Sequence, residues 1–147
     1  MKELVTSIEI DVPVARVWKI LTDFAHYGDW NPFLYRVEGK AGPDERVDIH
    51  YWRKGKESTL KCKIVEWQPG RMWRQTWHIG FPGLYRGEHT FTVEPMGDNR
   101  TRFVQREVFS GLLLPTMEKE IDTDTRDCFE SMDKALKVQS EHITVSA

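Results

Sequence analysis

The chain has 147 residues, a formal net charge of −2, and six Trp, seven Phe and four Tyr; its isoelectric point is near 6.2. That length fits one domain over residues 1–147 with one continuous core. The near-neutral balance, with Lys and Arg scattered, argues against nucleic acid as a partner, because phosphate binding needs a basic stripe.

In chain order, Leu4 to Asp11 alternates and reads as a first strand. Pro13 sits where a helix start tolerates proline. Val14, Val17, Trp18 and Leu21 follow at helical spacing, which predicts a short amphipathic helix to about Asp23. The stretch Phe24 to Pro32 mixes aromatics with breakers, and Gly28 and the Asn31-Pro32 pair are expected to stop any second helical turn. From Leu34 to Phe109 the period is mostly two, giving strands over 34–39, 45–53, 57–67, 71–79, 85–95 and 100–109. Short turn sequences such as Lys54-Gly55-Lys56, Gln68-Pro69-Gly70-Arg71 and Gly97-Asp98-Asn99 separate them and favour an antiparallel meander.

After Gly111 the period changes. Met117, Ile121, Thr125, Cys128, Phe129, Met132 and Leu136 fall at three- and four-residue steps. They predict a helix of roughly 24 residues, about 36 Å long, with Thr116 as N-cap and Glu118 and Glu120 near its positive end. Lys119, Asp122, Arg126, Glu130, Asp133 and Lys137 fall on its outer face. No stretch approaches the roughly 20 apolar residues that span a bilayer, so stable membrane insertion is not expected. Cys62 and Cys128 have no metal-ligand spacing and read as reduced thiols of a cytoplasmic protein.

The order is therefore strand, helical segment, six strands, long helix. A seven-stranded sheet with one apolar face must cover that face, and only the last helix is long enough to do so. So large a sheet twists and curls around its cover, leaving space unless side chains fill it.

Several motifs carry a family likeness: Val12-Pro13-Val14-Ala15-Arg16-Val17-Trp18, then Leu21-Thr22-Asp23, then Tyr27 through Trp30-Asn31-Pro32. Glu66-Trp67-Gln68-Pro69-Gly70, Glu107 to Gly111, and Phe129 to Leu136 continue it. With them the chain resembles the START-like (SRPBCC) superfamily, and within it the polyketide cyclase/dehydrase and lipid-transport group. The resemblance implies an α+β helix-grip fold: a curved seven-stranded antiparallel sheet around a long C-terminal helix, with a short helical segment between strands 1 and 2. It also implies a cavity for a small hydrophobic ligand. It names no cargo, because relatives include lipid carriers, aromatase/cyclases and stress proteins.

Strand parity proposes the lining. On 85–95 the odd positions Tyr85, Gly87, His89, Phe91 and Val93 form the apolar face. A three-residue loop at Gly97-Asp98-Asn99 makes opposed residue numbers sum to 196, so His89 faces Glu107 and Phe91 faces Gln105. Phe103 shares that face, as do Trp73, Gln75 and Trp77 beside Leu60, Cys62 and Ile64. Met117, Ile121 and Cys128 suit an adaptable helix wall, and equally a core stripe.

The His89–Glu107 pair has three readings: a mutually satisfied structural pair, a polar anchor for a ligand hydroxyl or carbonyl, or an acid/base couple. The functional alternatives are thus a hydrophobic-ligand binder, a cyclase or dehydratase using His89 and Glu107, and an interaction or stress module without ligand. For the last, Trp52, Trp67 or Leu112-Leu113-Leu114 would offer a partner or homodimer surface. His50 and His78 fall on the outer parity, and no histidine pair has a third ligand nearby, so neither metal nor cofactor is expected. Trp30-Asn31-Pro32 is expected to pack the helical segment on the sheet, with a place at the pocket mouth as the other reading.

Overall fold

The structure, a computed structural model, describes residues 1–142; the last five residues of the expected 1–147 domain lie outside the described ones. Seven strands form one antiparallel sheet: β1 (Lys2–Ile10), β2 (Leu34–Glu38), β3 (Arg46–Arg53), β4 (Lys56–Gln68), β5 (Met72–Ile79), β6 (Tyr85–Pro95) and β7 (Thr101–Ser110). Their order is β1-β7-β6-β5-β4-β3-β2, so the meander runs from β2 to β7 and β1 closes against β7. The two sequence-adjacent strands β1 and β2 are thereby the two edges of a curled half-barrel.

Helix α1 (Val14–Leu21) follows β1, packs Trp18 against Trp67 and Trp73, and buries Val17 and Leu21. It stops two residues short of the expected end. The next stretch is not irregular, as the breakers suggested, but a 3₁₀ segment, Phe24–Asp29. The tighter 3₁₀ turn accommodates Gly28 and places Phe24 and Tyr27 in the core. Asn31 then turns the chain into β2: its buried Oδ1 accepts from the backbone N–H of Phe33 and of Leu34, both at 3.0 Å. Trp30 packs against Tyr27 with ring centroids 5.1 Å apart, so this motif serves packing.

The C-terminal cover comprises α2 (Leu114–Glu120), one π turn (Ile121–Thr125) and α3 (Arg126–Glu141). It starts earlier than the Thr116 cap reading, at Leu114 with Pro115 in the first turn. The Thr116 hydroxyl instead donates to the Leu113 carbonyl. The π turn inserts one residue into the ladder and shifts the faces that follow. Asp133, expected on the outer face, is buried under the sheet: it lies one turn after Phe129 and beside Met132, on the covering stripe.

Alternation holds along β6 and β7, whose odd positions are all buried from Tyr85 to Val93 and from Thr101 to Phe109. β4 carries a bulge between Ile64 and Glu66 that keeps Trp67 opposite Trp73. Trp18, Trp67 and Trp73 cluster there, with centroids 5.4 to 5.9 Å apart. The turn out of β7 depends on Gly111, at φ +119°, where an added Cβ would lie 2.5 Å from the Leu84 carbonyl oxygen. Gly111→Ala combines that clash with a backbone region closed to L side chains. Urea unfolding is expected to show a loss of about 2 kcal/mol or more; a change under half of that would mean the turn yields.

Candidate functional site

A cavity of about 540 Å³ lies between the inner face of the sheet and the first half of the C-terminal cover. Its walls are Phe33, Ile49, Tyr51, Leu60, Phe109 and Phe129, and its helix side is Met117, Thr125 and Cys128. Those three helical side chains are slim or flexible, whereas Met132 and Leu136 farther along are fully buried in the core and do not line the cavity. Gln75, Trp77, His89 and Glu107 form the floor.

The floor is a row of buried polar groups on adjacent strands. β6 and β7 pair His89 with Glu107 and Phe91 with Gln105, as the summed register requires. His89 is stacked between Phe91 and Phe129, with centroids 3.9 and 4.8 Å away, so its ring plane is fixed. Its Nε2 lies 3.0 Å from Gln105 Oε1. Gln105 Nε2 in turn donates to the Phe129 carbonyl at 3.1 Å and to Asp133 Oδ1 at 2.7 Å. At the other end the Trp77 indole N–H donates to Glu107 Oε2 at 2.6 Å. This reach is allowed by Gly87, which pairs with Trp77. A Cβ on Gly87 would sit 2.5 Å from the indole ring, so the ring lies flat across β6 to meet β7. Glu107 Oε1 and His89 Nδ1 are 3.7 Å apart, beyond hydrogen-bond length.

Burial sets the charge states. It pushes the His89 imidazole down to about 3, against a smaller upward pull from Gln105. It pushes Glu107 up to about 7, opposed by the Trp77 hydrogen bond, and Asp133 up to about 6, opposed by the bond from Gln105. The expected histidine titrating near neutrality is therefore replaced by a carboxyl: Glu107 is the floor group that exchanges a proton in the physiological range.

Of the residues proposed from parity, the structure brings Gln75, Trp77, Tyr85, His89, Glu107, Met117 and Cys128 to the cavity. Trp73, Phe91, Phe103, Gln105 and Ile121 are buried beside it and do not line it. Trp73, Phe91, Phe103 and Ile121 belong to the aromatic and aliphatic core behind the lining, and Gln105 meets His89 from there. Strand parity puts Leu60 and Phe109 on the inner face, and helical spacing puts Phe129 on the covering stripe, without assigning them to the lining; Phe33, Ile49 and Tyr51 were missed. Carrying the same parity into β3, where Ile49 and Tyr51 alternate with Asp48 and His50, would have found two of them.

The mouth is rimmed by Trp52, Arg53, Ile79, Leu113, Glu120 and Asp124. Arg53 grips Glu120 through two bonds of 2.7 and 2.9 Å, and the Lys54 backbone N–H donates to Asp124 at 3.2 Å. The β3–β4 hairpin is thus tied to the helix at the π turn. Of the partner surface expected from sequence, Trp67 and Leu114 are turned inward, while Trp52, Leu112 and Leu113 are exposed. Among the described residues no helix is long and apolar enough to cross a membrane.

The family profile described as polyketide cyclase/dehydrase and lipid transport matches residues 1–137. The chain belongs to that family. Its structure is similar to the Zhui aromatase/cyclase of a Streptomyces species, with a TM-score of 0.79, 16% identity, and 95% and 93% of the two chains covered. It is also similar to a START superfamily protein of Mycobacterium smegmatis, at TM-score 0.75, 17% identity, and 97% and 99% coverage. The di-domain ARO/CYC protein BexL matches at TM-score 0.75 and 16% identity, with 96% of this chain but 48% of that one covered. At such identities the likeness is one of fold, and it is the START-like helix-grip fold. No curated protein matches the chain.

Glu107 gives this family member a pH signature. The unfolded carboxyl ionises near 4.5 and the folded one near 7. Because the folded value is the higher, stability from this group is complete below the lower value and is lost as pH rises through the upper one. Glu107→Gln keeps an acceptor for Trp77 and removes the titration. Urea unfolding from pH 5 to pH 8 is expected to show wild type losing about 3 kcal/mol relative to the variant. A pH-independent offset would mean that the carboxyl is not desolvated.

Proposed function

We propose that the chain binds a small hydrophobic molecule (a lipid, aromatic or polyketide-like compound) in this cavity, with the polar end of the ligand at Glu107 and His89. One observation carries the reading: an apolar, aromatic-walled cavity ends on two polar atoms, Glu107 Oε1 and His89 Nδ1, that have no hydrogen-bond partner among the described residues. A volume of about 540 Å³ falls in the range of small-molecule sites and is more than a filled core leaves, which speaks against an interaction module without ligand. Burial of about 200 Å² of ligand apolar surface contributes about 5 kcal/mol before association costs. Orientation then comes from the floor. The free thiols of Cys62 and Cys128 support the reading of a reducing, cytoplasmic setting.

A second reading is supported by the raised Glu107 carboxyl. A buried acid near pH 7 is suited to moving a proton in a cyclisation or dehydration, the chemistry named in the family description. In it Glu107 is the acid/base, and His89 positions the substrate rather than taking the proton.

Native mass spectrometry with organic extraction of protein purified from its own host is expected to release a stoichiometric apolar small molecule. In parallel, the fluorescent probe anilinonaphthalene sulfonate is expected to bind the native protein saturably. Leu60→Trp, which fills the cavity from β4, should weaken that binding at least about tenfold with the circular dichroism spectrum retained. Unchanged probe affinity in the variant would place the binding elsewhere.

A further inference from the structure

The polar row beneath the cavity holds more information than its burial. Gln105 Nε2 stands against the Phe129 backbone carbonyl, which can only accept. A flipped Gln105 amide would set oxygen against oxygen there and also against Asp133 Oδ1. The Gln105 amide is therefore oriented, and its oxygen faces His89 Nε2 at 3.0 Å. That contact is favourable only if Nε2 carries the hydrogen. In a neutral imidazole the other nitrogen is then a bare acceptor. Burial keeps the ring neutral, and the flanking rings of Phe91 and Phe129 keep its edge in place.

We propose that Gln105 and Asp133 are positioning residues that lock His89 as the Nε2–H tautomer, so that the floor offers Nδ1 as an acceptor beside the Glu107 carboxyl and selects apolar ring compounds bearing a hydroxyl. This rests on the cavity being a ligand site. Nδ1 and Glu107 Oε1 are 3.7 Å apart, and Trp77 holds the other Glu107 oxygen, which restrains the carboxyl from closing the gap. One oxygen atom can sit at hydrogen-bond distance from both atoms. A hydroxyl donates its proton to Nδ1 and accepts from the Glu107 acid. An ether or ketone oxygen has no proton to give, leaves Nδ1 buried and unpaired, and is penalised for it.

Two measurements test this on the whole chain. Nitrogen-15 NMR of histidine-labelled, ligand-free protein is expected to show His89 as the Nε2–H tautomer. Gln105→Met, close in volume, is expected to lose it, and Asp133→Asn, which keeps an acceptor for Gln105, to retain it. The Nδ1–H form in wild type, or an unchanged tautomer in Gln105→Met, overturns the lock. If Gln105→Met does not fold, the wild-type tautomer and Asp133→Asn still decide. Fluorescence titration with 2-naphthol and 2-methoxynaphthalene, equal in ring, is expected to favour the naphthol at least about tenfold, and Gln105→Met to erase most of that ratio. Equal wild-type affinities overturn the hydroxyl selection. Binding of neither compound overturns that selection and the cavity reading together, while the tautomer experiment continues to report on the lock alone.

Discussion

The hairpin register between β6 and β7 is the constraint on which the site depends. A shift of one residue would oppose His89 and Phe91 to even-numbered residues of β7, so that either β6 or β7 would turn its inward set, His89 and Phe91 or Gln105 and Glu107, to solvent. The Met96 N–H donates to the Arg100 carbonyl across the turn at 2.8 Å and so fixes the count. Everything above the floor inherits that count: the stacking of His89, the reach of Trp77 to Glu107, and the meeting of Gln105 with α3.

Five polar side chains under a hydrophobic cavity are costly to bury, and the arrangement shows how the cost is limited. Trp73 donates to Gln75 at 3.0 Å, Trp77 donates to Glu107, and the His89–Gln105–Asp133 row ends on a helix. Each indole thus satisfies a polar neighbour while its ring contributes to the core. Raising the carboxyl pKa values toward neutrality removes the larger penalty, a buried negative charge with no cation beside it. Within this row, Glu107 Oε1 and His89 Nδ1 are left unmet, and both residues line the cavity.

Much of this was legible in the residues, and for identifiable reasons. Alternation in β6 and β7 is strict because one face is buried against the cover, so parity and a three-residue turn were enough to pair His89 with Glu107. Asp133 was misplaced because its charge suggested water, although it lies four residues after Phe129 on the buried stripe, where Gln105 meets it; the π turn at Ile121–Thr125 went unseen as well. No residue in that segment is a conspicuous helix breaker, so nothing in the local composition announces the π turn. The 3₁₀ segment was hidden for the opposite reason: Gly28 suggests a break, yet the tertiary burial of Phe24 and Tyr27 holds a tight helix across it. Histidine character was also out of reach, since a pKa depends on how completely the surroundings exclude water. Which buried residues line a space and which merely support it depends on the curvature of the sheet, a property of seven strands together.

The division of labour between sheet and helix has a further consequence. Under the proposed function, the groups that would distinguish one ligand chemistry from another stand on β5, β6 and β7, held by ladder hydrogen bonds and by each other. The side chains that would set how large a ligand fits, Met117, Thr125 and Cys128, stand on the helix ahead of Phe129 and Asp133 and do not themselves bond to the floor. On that proposal size and chemistry would be separable traits: substitutions at these three helix positions would change the dimensions of the cargo while the recognition chemistry was inherited intact, a route to diversification that leaves the scaffold untouched.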